Sequence, residues 1–268
     1  MNQIKDRSDA DSGGAGVRVL ARGLAILQAF EPDNAWHSNA ELAAMTGVPK
    51  PTVSRITAHL TASGYLIYSP QNAQYKLGAS VLALGYLAAS IGELTTQARP
   101  LMQELADDHN GSIVLASLDG LSMVCQEVCH GRSMLFALRV HPGSRLSLSR
   151  SALGRAVIGA MSENERSKLL GAIAQAHPEH WPGLEPAIQA SVREMQAHDY
   201  CIATGTLETG TNGIAVVIDM PDRPHAYALG FAVPANQVTA EHLSEAIAPR
   251  LLEIKHRLER DVARRSIG

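Results

Sequence analysis

A chain of 268 residues has room for one small and one medium domain, each with its own core. Only 4% of it is aromatic and its net charge is -3, which speaks against a base-stacking single-strand binder and against a broadly basic protein that coats nucleic acid. Three cysteines make no disulfide framework, and no apolar run approaches the roughly 18 residues of a membrane span.

Residues 1–16, MNQIKDRSDADSGGAG, are polar and rich in Gly, Ser and Asp. They read as a disordered arm and not as a secretory leader, and with the odd cysteine count they point to a reducing cytoplasm. The next stretch, VRVLARGLAILQAF, places Val19, Leu20, Leu24, Leu27 and Phe30 on one face of a first helix. Ser38-Asn39-Ala40-Glu41 has the form of a capping box and opens a second. Ala43, Gly47, Val53 and Ile56 then fall at the spacing of a helix-turn-helix. Ala43 is small enough for a helix to cross above it, Gly47 supplies the turn, and Val53 and Ile56 plug the gap. Pro49 and Pro51 fit only near a helix start, where a missing N–H costs little.

This leaves Lys50, Thr52, Ser54, Arg55 and His59 outward, a cationic and hydroxyl-bearing face suited to the major groove, with the helix start suited to a phosphate. An ordinary helical hairpin with a solvated polar face shares this spacing, and the following residues separate the two readings. Gly64 stops the helix, and Tyr65–Tyr68 and Gln74–Leu77 read as strands around Pro70-Gln71-Asn72-Ala73. A hairpin placed there is a wing, with Gln71 and Asn72 at its tip and Gln74 and Lys76 behind. Residues 17–78 therefore read as a winged helix-turn-helix domain whose partner is double-stranded promoter DNA. Its candidate contacts are Arg18, Arg22, Lys50, Pro51, Thr52, Ser54, Arg55, His59, Gln71, Asn72 and Lys76. Five bases (Arg18, Arg22, Lys50, Arg55, Lys76) face three acids (Glu31, Asp33, Glu41) in this stretch. So thin a basic surface calls for dimerisation and makes binding salt-sensitive.

Ala79–Ile91 is Ala/Leu-rich and too apolar to stand alone in water; residues 79–92 read as a linker helix packed on a twin or on its own domain. Residues 93–268 follow as a second domain. Thr95–Asn110 is an amphipathic helix, and Ser112–Asp119 and Ser122–Cys129 are strands around Gly120-Leu121. Met134–Val140 is a third strand. Ala152–Met161, Glu163–Ile173 (capped by Ser162 and Glu165) and Leu184–His198 are helices. Ile214–Asp219 and Ala226–Val233 are strands around a proline-rich turn, and Thr239–Arg265 is a terminal helix. Antiparallel strands with segregated helices give an α+β layer fold.

Several constellations carry no chemistry. Cys125-x-x-x-Cys129-His130 suits zinc by residue type, but it sits on a strand with no fourth ligand in view, and buried thiols explain it as well. His177-Pro178-Glu179-His180 reads as an exposed loop. There is no G-x-S-x-G elbow around Ser144, no phosphate loop and no dinucleotide fingerprint. No metal, cofactor or catalytic set is expected.

Taken together, VRVLARGLAILQAF, ELAAMTGVPKPTVSRITAHLTASGYL and YKLG resemble the DNA-binding domain of IclR-type bacterial transcriptional regulators. ARPLMQELADDHNGSIVLASLDG, HPGSRLSLSRSALGRAVIGAM and LGFAVPANQVTAEHL resemble that family's effector domain, in order and spacing, over nearly the whole chain after Gly16. The resemblance implies a GAF-like, six-stranded effector domain and a homodimer or tetramer. It also implies control of a catabolic operon by a small organic acid. The implied effector pocket comprises Leu135, Leu138, Leu146, Arg150, Ala152, Leu153, Ala203, Gly213, Gly230 and Ala232.

In the family's small-acid sensors the start of the ALG helix offers backbone N–H groups to the ligand. Here Ala203, Gly213, Gly230 and Ala232 stand where Asp, Cys, Ser and Ser are usual, so a roomier, more apolar pocket for a bulky or aromatic acid is expected. Arg150 stands where a small residue is common, and either pairs with a second acidic group or is a solvated surface residue. A small-molecule-binding protein or enzyme with a non-DNA role is the other reading. The absence of a catalytic set and the intact wing count against it.

Overall fold

The computed structural model describes residues 8–30, 34–90, 93–133, 138–207, 210–220 and 223–265. The chain divides into two compact units, Met1–Ile91 and Gly92–Gly268. The first is built from α1 (Ser8–Gln28), β1 (His37–Ser38), α2 (Asn39–Thr46), α3 (Lys50–Ala62), β2 (Leu66–Ser69), β3 (Gln74–Leu77) and α4 (Ala79–Ser90). Its core is Ile26, Leu42, Val48, Val53 and Ile56, drawn from α1, α2, the turn and α3. Strands β2 and β3 form the expected hairpin. The dipeptide β1 adds a third strand against β3, pairing His37 with Tyr75.

Two expectations for α1 need correction. The helix begins at Ser8, so Ser8–Gly16 is not an arm; residues 1–7 lie outside the described ones. Once nucleated, a helix gains one hydrogen bond per added residue, and the stretch holds no proline to stop it. The apolar face of α1 is also only partly inward. Ile26 is fully buried, whereas Val19, Leu20 and Leu24 are at least half exposed.

The second unit contains α5 (Glu93–His109), β4 (Ser112–Asp119), β5 (Ser122–His130), β6 (Arg145–Ser147), α6 (Ala152–Ala160), α7 (Glu163–Ala176) and α8 (Trp181–His198). It continues with β7 (Cys201–Thr204), β8 (Thr211–Met220), β9 (Arg223–Pro234) and a terminal helix of α9 (Ala240–His242), a π-turn (Leu243–Ile247) and α10 (Ala248–Arg265). The strands form one six-stranded sheet, ordered β6-β5-β4-β9-β8-β7 with every neighbouring pair antiparallel. The third strand is Arg145–Ser147, not Met134–Val140. Leu138–Val140 is irregular and residues 134–137 lie outside the described ones. Strand β7 carries no sequence signal beyond four residues of mixed size, and it was not expected.

The two sheet faces differ in side-chain size. Ile113, Leu115, Ile214, Val216, Leu229 and Phe231 pack against α5 and α10. The opposite face presents Ala116, Ala215 and Ala228, with Gly230 and Gly213 in register beside them, and receives α6 and, behind it, α8. Small residues let α6 come close to the sheet. At the start of α6, a Cβ on Gly154 would lie 2.1 Å from the Leu148 carbonyl oxygen and 2.5 Å from Leu148 Cα. Gly154→Ala should therefore destabilise the second unit by about 3 kcal/mol, the upper end of ordinary overpacking. Urea unfolding should show a lower midpoint at unchanged slope. Gly183→Ala, a helical position with open space around it, should show no such loss.

Candidate nucleic-acid interface and ligand cavity

In the first unit the start of α2 is fixed by side chains. Ser38 Oγ accepts the Glu41 N–H at 3.3 Å, and Glu41 Oε2 accepts the Ser38 N–H at 2.7 Å. The Ser38 N–H, and after it the Ser38 hydroxyl that donates to Oε2 at 2.8 Å, hold the Glu41 carboxyl below its usual range. Gly47, at φ +67°, turns the chain in a region that favours glycine. The carbonyl of Pro49 then accepts from Thr52 and Val53, starting α3 with Pro51 in its first turn. Val53 and Ile56 point into the core. Lys50, Pro51, Ser54, Arg55 and His59 are exposed, and Thr52 is half-buried.

One tie between the helices was not anticipated. Asn39 Nδ2 donates to Ser54 Oγ at 3.0 Å, and the buried Thr57 hydroxyl donates to Asn39 Oδ1 at 3.0 Å. The signal was Thr57 itself, a polar residue one turn after Val53 on the inward face. At the wing, Gln71 and Asn72 are exposed at the tip, while Lys76 Nζ lies 5.0 Å from the Trp36 ring centroid. On α1, Arg18 is exposed and Arg22 half-buried. His59 also borders an apolar groove between α1, α3 and α4, lined by Leu20, Leu24, Leu27, Leu60, Tyr65 and Leu84 among others.

In the second unit the sheet face that receives α6 opens at its β7–β8–β9 end into a cavity. Its free space is about 430 Å³ with the mouth included. Leu138, Leu146, Arg150, Ala152, Leu153, Ala203, Gly213, Gly230 and Ala232 all line it, while Leu135 lies outside the described residues. Val114, Ser151, Thr206, Leu207 and Thr211 line it too and were not anticipated, because the loop carrying two of them follows the unrecognised β7.

The lining is apolar apart from a few hydroxyls and one formal charge, Arg150. The expected extra room is only partly present. A Cβ on Gly230 would meet Leu153 Cδ2 at 2.9 Å, so Leu153 already fills the space that a larger residue would hold. Ser151 caps α6, its Oγ accepting the Gly154 N–H at 3.1 Å. The N–H groups of Ala152 and Leu153 are left as first-turn donors beside the cavity. Arg150 and Thr206 close its rim with two reciprocal bonds. The Arg150 Nε–H donates to the Thr206 carbonyl at 2.8 Å, and the Thr206 hydroxyl donates to the Arg150 carbonyl at 2.6 Å.

Comparison with known proteins matches both units. Residues 19–70 match the IclR helix-turn-helix domain, and residues 87–258 match the bacterial transcriptional regulator IclR C-terminal domain. The chain belongs to the IclR family of bacterial transcriptional regulators. Among IclR relatives, it is 28% identical to HTH-type transcriptional regulator TsaQ1/TsaQ2 of Comamonas testosteroni, covering 91% of this chain and 88% of that protein. It is 26% identical to the Pca regulon regulatory protein of Pseudomonas putida, covering 87% and 80%. The crystal structure of an IclR family regulator from Brucella abortus shares 34% identity at a TM-score of 0.84, covering 98% of this chain and 97% of that one. An IclR homologue from Microbacterium hydrocarbonoxydans, crystallised with 4-hydroxybenzoate, shares the fold at 19% identity and a TM-score of 0.70, covering 91% and 99%. As an IclR-type regulator, the chain joins a DNA-binding helix-turn-helix domain to a C-terminal effector domain.

The cysteines of this IclR chain do not converge. A bulge opposite Leu115/Ala116 interrupts the alternation of β5, so Cys125 packs on the α6 side of the sheet and Cys129 on the α5 side. No group of three or more His, Cys, Asp or Glu side chains among the described residues is placed to hold a metal. Of the two histidines set aside earlier, His180 pairs with Glu179 at an exposed turn. Burial pushes the Cys125 thiol up to about 12 and Cys129 to about 11, and raises Cys201 as well. All three are therefore uncharged thiols at pH 8 and weak nucleophiles. Iodoacetamide at that pH should leave the folded protein unlabelled, and label three sites only after denaturation, as read by intact mass.

Proposed function

We propose that this regulator binds a partly palindromic promoter as a dimer, or a dimer of dimers, and sets transcription of a catabolic operon in response to a small organic acid. The observation that carries the reading is the exposed Lys50–His59 face of α3, held by the Asn39 tie on a helix whose other face is buried core. Helix α3 lies in the major groove. Lys50 and Arg55 meet phosphates or guanine, and Thr52 and Ser54 supply hydrogen bonds. Gln71 and Asn72 reach the flanking backbone or minor groove. Lys76, held against Trp36, and Arg18 and Arg22 on α1 strengthen the field and approach phosphates. A second copy covers the apolar groove and the outward residues of α1 and α4, among them Leu82, Leu84 and Tyr86, each more than half exposed. The setting is the bacterial cytoplasm.

The effector is a carboxylate with a bulky or aromatic body. Its acid group meets the Ala152 and Leu153 N–H groups and the Arg150 guanidinium, and its ring displaces Leu153 from Gly230 and rests on Ala203, Gly213 and Ala232. The 4-hydroxybenzoate bound by the Microbacterium homologue and the Pca regulon assignment of the Pseudomonas relative support that class. Occupancy reaches the DNA through α4, the segment joining the two units.

Two measurements test this. Arg55→Ala should weaken specific promoter binding by about 1–3 kcal/mol, roughly 5- to 150-fold in Kd, in gel-shift titrations at fixed salt. An unchanged Kd removes Arg55 from the reading set. Calorimetric titration should show 4-hydroxybenzoate binding more tightly than pyruvate, and the reverse order would overturn the pocket assignment.

A further inference from the structure

Arg150, just before α6, borders two spaces. One is the cavity above. The other is a separate outer cleft, about 1330 Å³ of free space with its open side included, walled by Ser122, Ser147, Ser149, Arg150, His177 and His180. Among the described residues no carboxylate lines it, although Glu179 is bonded to the lining His180. Glu179 Oε1 holds His180 Nδ1 at 3.0 Å, and this leaves the Nε2 edge of that ring available. The hydroxyls of Ser147 and Ser149 lie 3.3 Å apart, so one of the two protons serves that contact and the other is free to donate outward. Arg150 spends its Nε–H on Thr206 and keeps both Nη groups.

A second observation concerns a cation bonded to the backbone of Ser149, one of the cleft residues. The Arg155 side chain is buried, the residue only 4% exposed, and its Nε–H donates to the Ser149 carbonyl at 2.8 Å. It makes no ion pair and no other hydrogen bond among the described residues, and burial lowers its pKa. A buried cation with no counter-charge is costly, and an anion held nearby offsets that cost.

We infer that this outer cleft is an anion site for the phosphoryl group of a small metabolite, gripped by Arg150 Nη and the serine hydroxyls in the field of Arg155. Several hydroxyl and N–H donors arranged around one side suit a tetrahedral dianion with many acceptor positions. The organic remainder occupies the space toward Leu184 and the histidines. The site is distinct from the inner cavity but shares Arg150 with the acid effector proposed there, so the two ligands compete for one guanidinium.

Gly183 gives a clean test. It lines the outer cleft and not the cavity, it sits in the first turn of α8, and a Cβ there meets nothing within 4 Å. Glutamate at that position places a negative charge in the cleft and is well tolerated near a helix N-terminus. The full-length protein is titrated calorimetrically with glycerol 3-phosphate, with inorganic phosphate, and with sodium chloride at matched ionic strength. Saturable binding of a phosphate, absent with chloride, is expected for the unaltered chain and for Gly183→Ala. Gly183→Glu and Arg150→Gln should each weaken it at least tenfold. Inorganic phosphate binding as tightly as the ester supports the site with the free ion as its ligand. No saturable heat with either phosphate, or an unchanged Kd in Gly183→Glu, overturns the proposal. Binding of 4-hydroxybenzoate, measured on the same Gly183→Glu protein, reports on the inner cavity separately.

Discussion

The second unit depends on how closely α6 can lie on the sheet. Its first turn rests against the Leu148 backbone at Gly154, where no side chain fits, and Leu153 lies on the bare backbone of Gly230. This contact fixes the axis of α6 and the direction of its first N–H groups. It also fixes the position of Arg150, two residues upstream of the helix. The opposite sheet face, with Phe231, Ile113 and Leu229, supplies the bulk of hydrophobic burial against α5 and α10. One face thus contributes stability through large side chains. The other gives up part of that contribution for proximity, and the cavity lies where that concession is greatest.

The first unit solves a different problem. A small domain must hold a polar helix face toward solvent while anchoring the same helix from behind. Val53 and Ile56 do this by packing with Ile26, Leu42 and Val48. The Asn39–Ser54–Thr57 bonds add direction to that packing, because hydrogen bonds fix rotation about the helix axis where apolar contact alone does not. Ser54 is therefore both a surface residue and part of the joint between α2 and α3.

The helix-turn-helix was legible because its steric demands are local. A capping box, a left-handed glycine and two prolines at a helix start each have one physical meaning within a few residues. Strands β4 and β5 were legible from the turn at Gly120. The misses share a cause: they depend on partners distant in sequence. Arg145–Ser147 is a strand only because β5 offers an edge there, and Cys201–Thr204 only because β8 does. The face of α1 was read as apolar, but which residues it buries is decided by α3. Cys125 and Cys129 were read only as buried thiols on one strand, and a single bulged residue sends them to opposite faces. Motif resemblance placed the cavity residues, yet it did not reveal that Leu153 occupies the room left by Gly230, since that is a matter of rotamer and packing.

The uncovered leucines of α1 and α4 have a consequence for how such a molecule responds to its own abundance. In the dimer proposed above, apolar surface that is wet in a lone chain is covered when copies meet, so part of the folding free energy would become a function of protomer concentration. Assembly and operator occupancy would then rise together more steeply than in simple one-to-one saturation, and a modest change in synthesis of the chain would shift promoter occupancy by a larger factor, without any change in effector level.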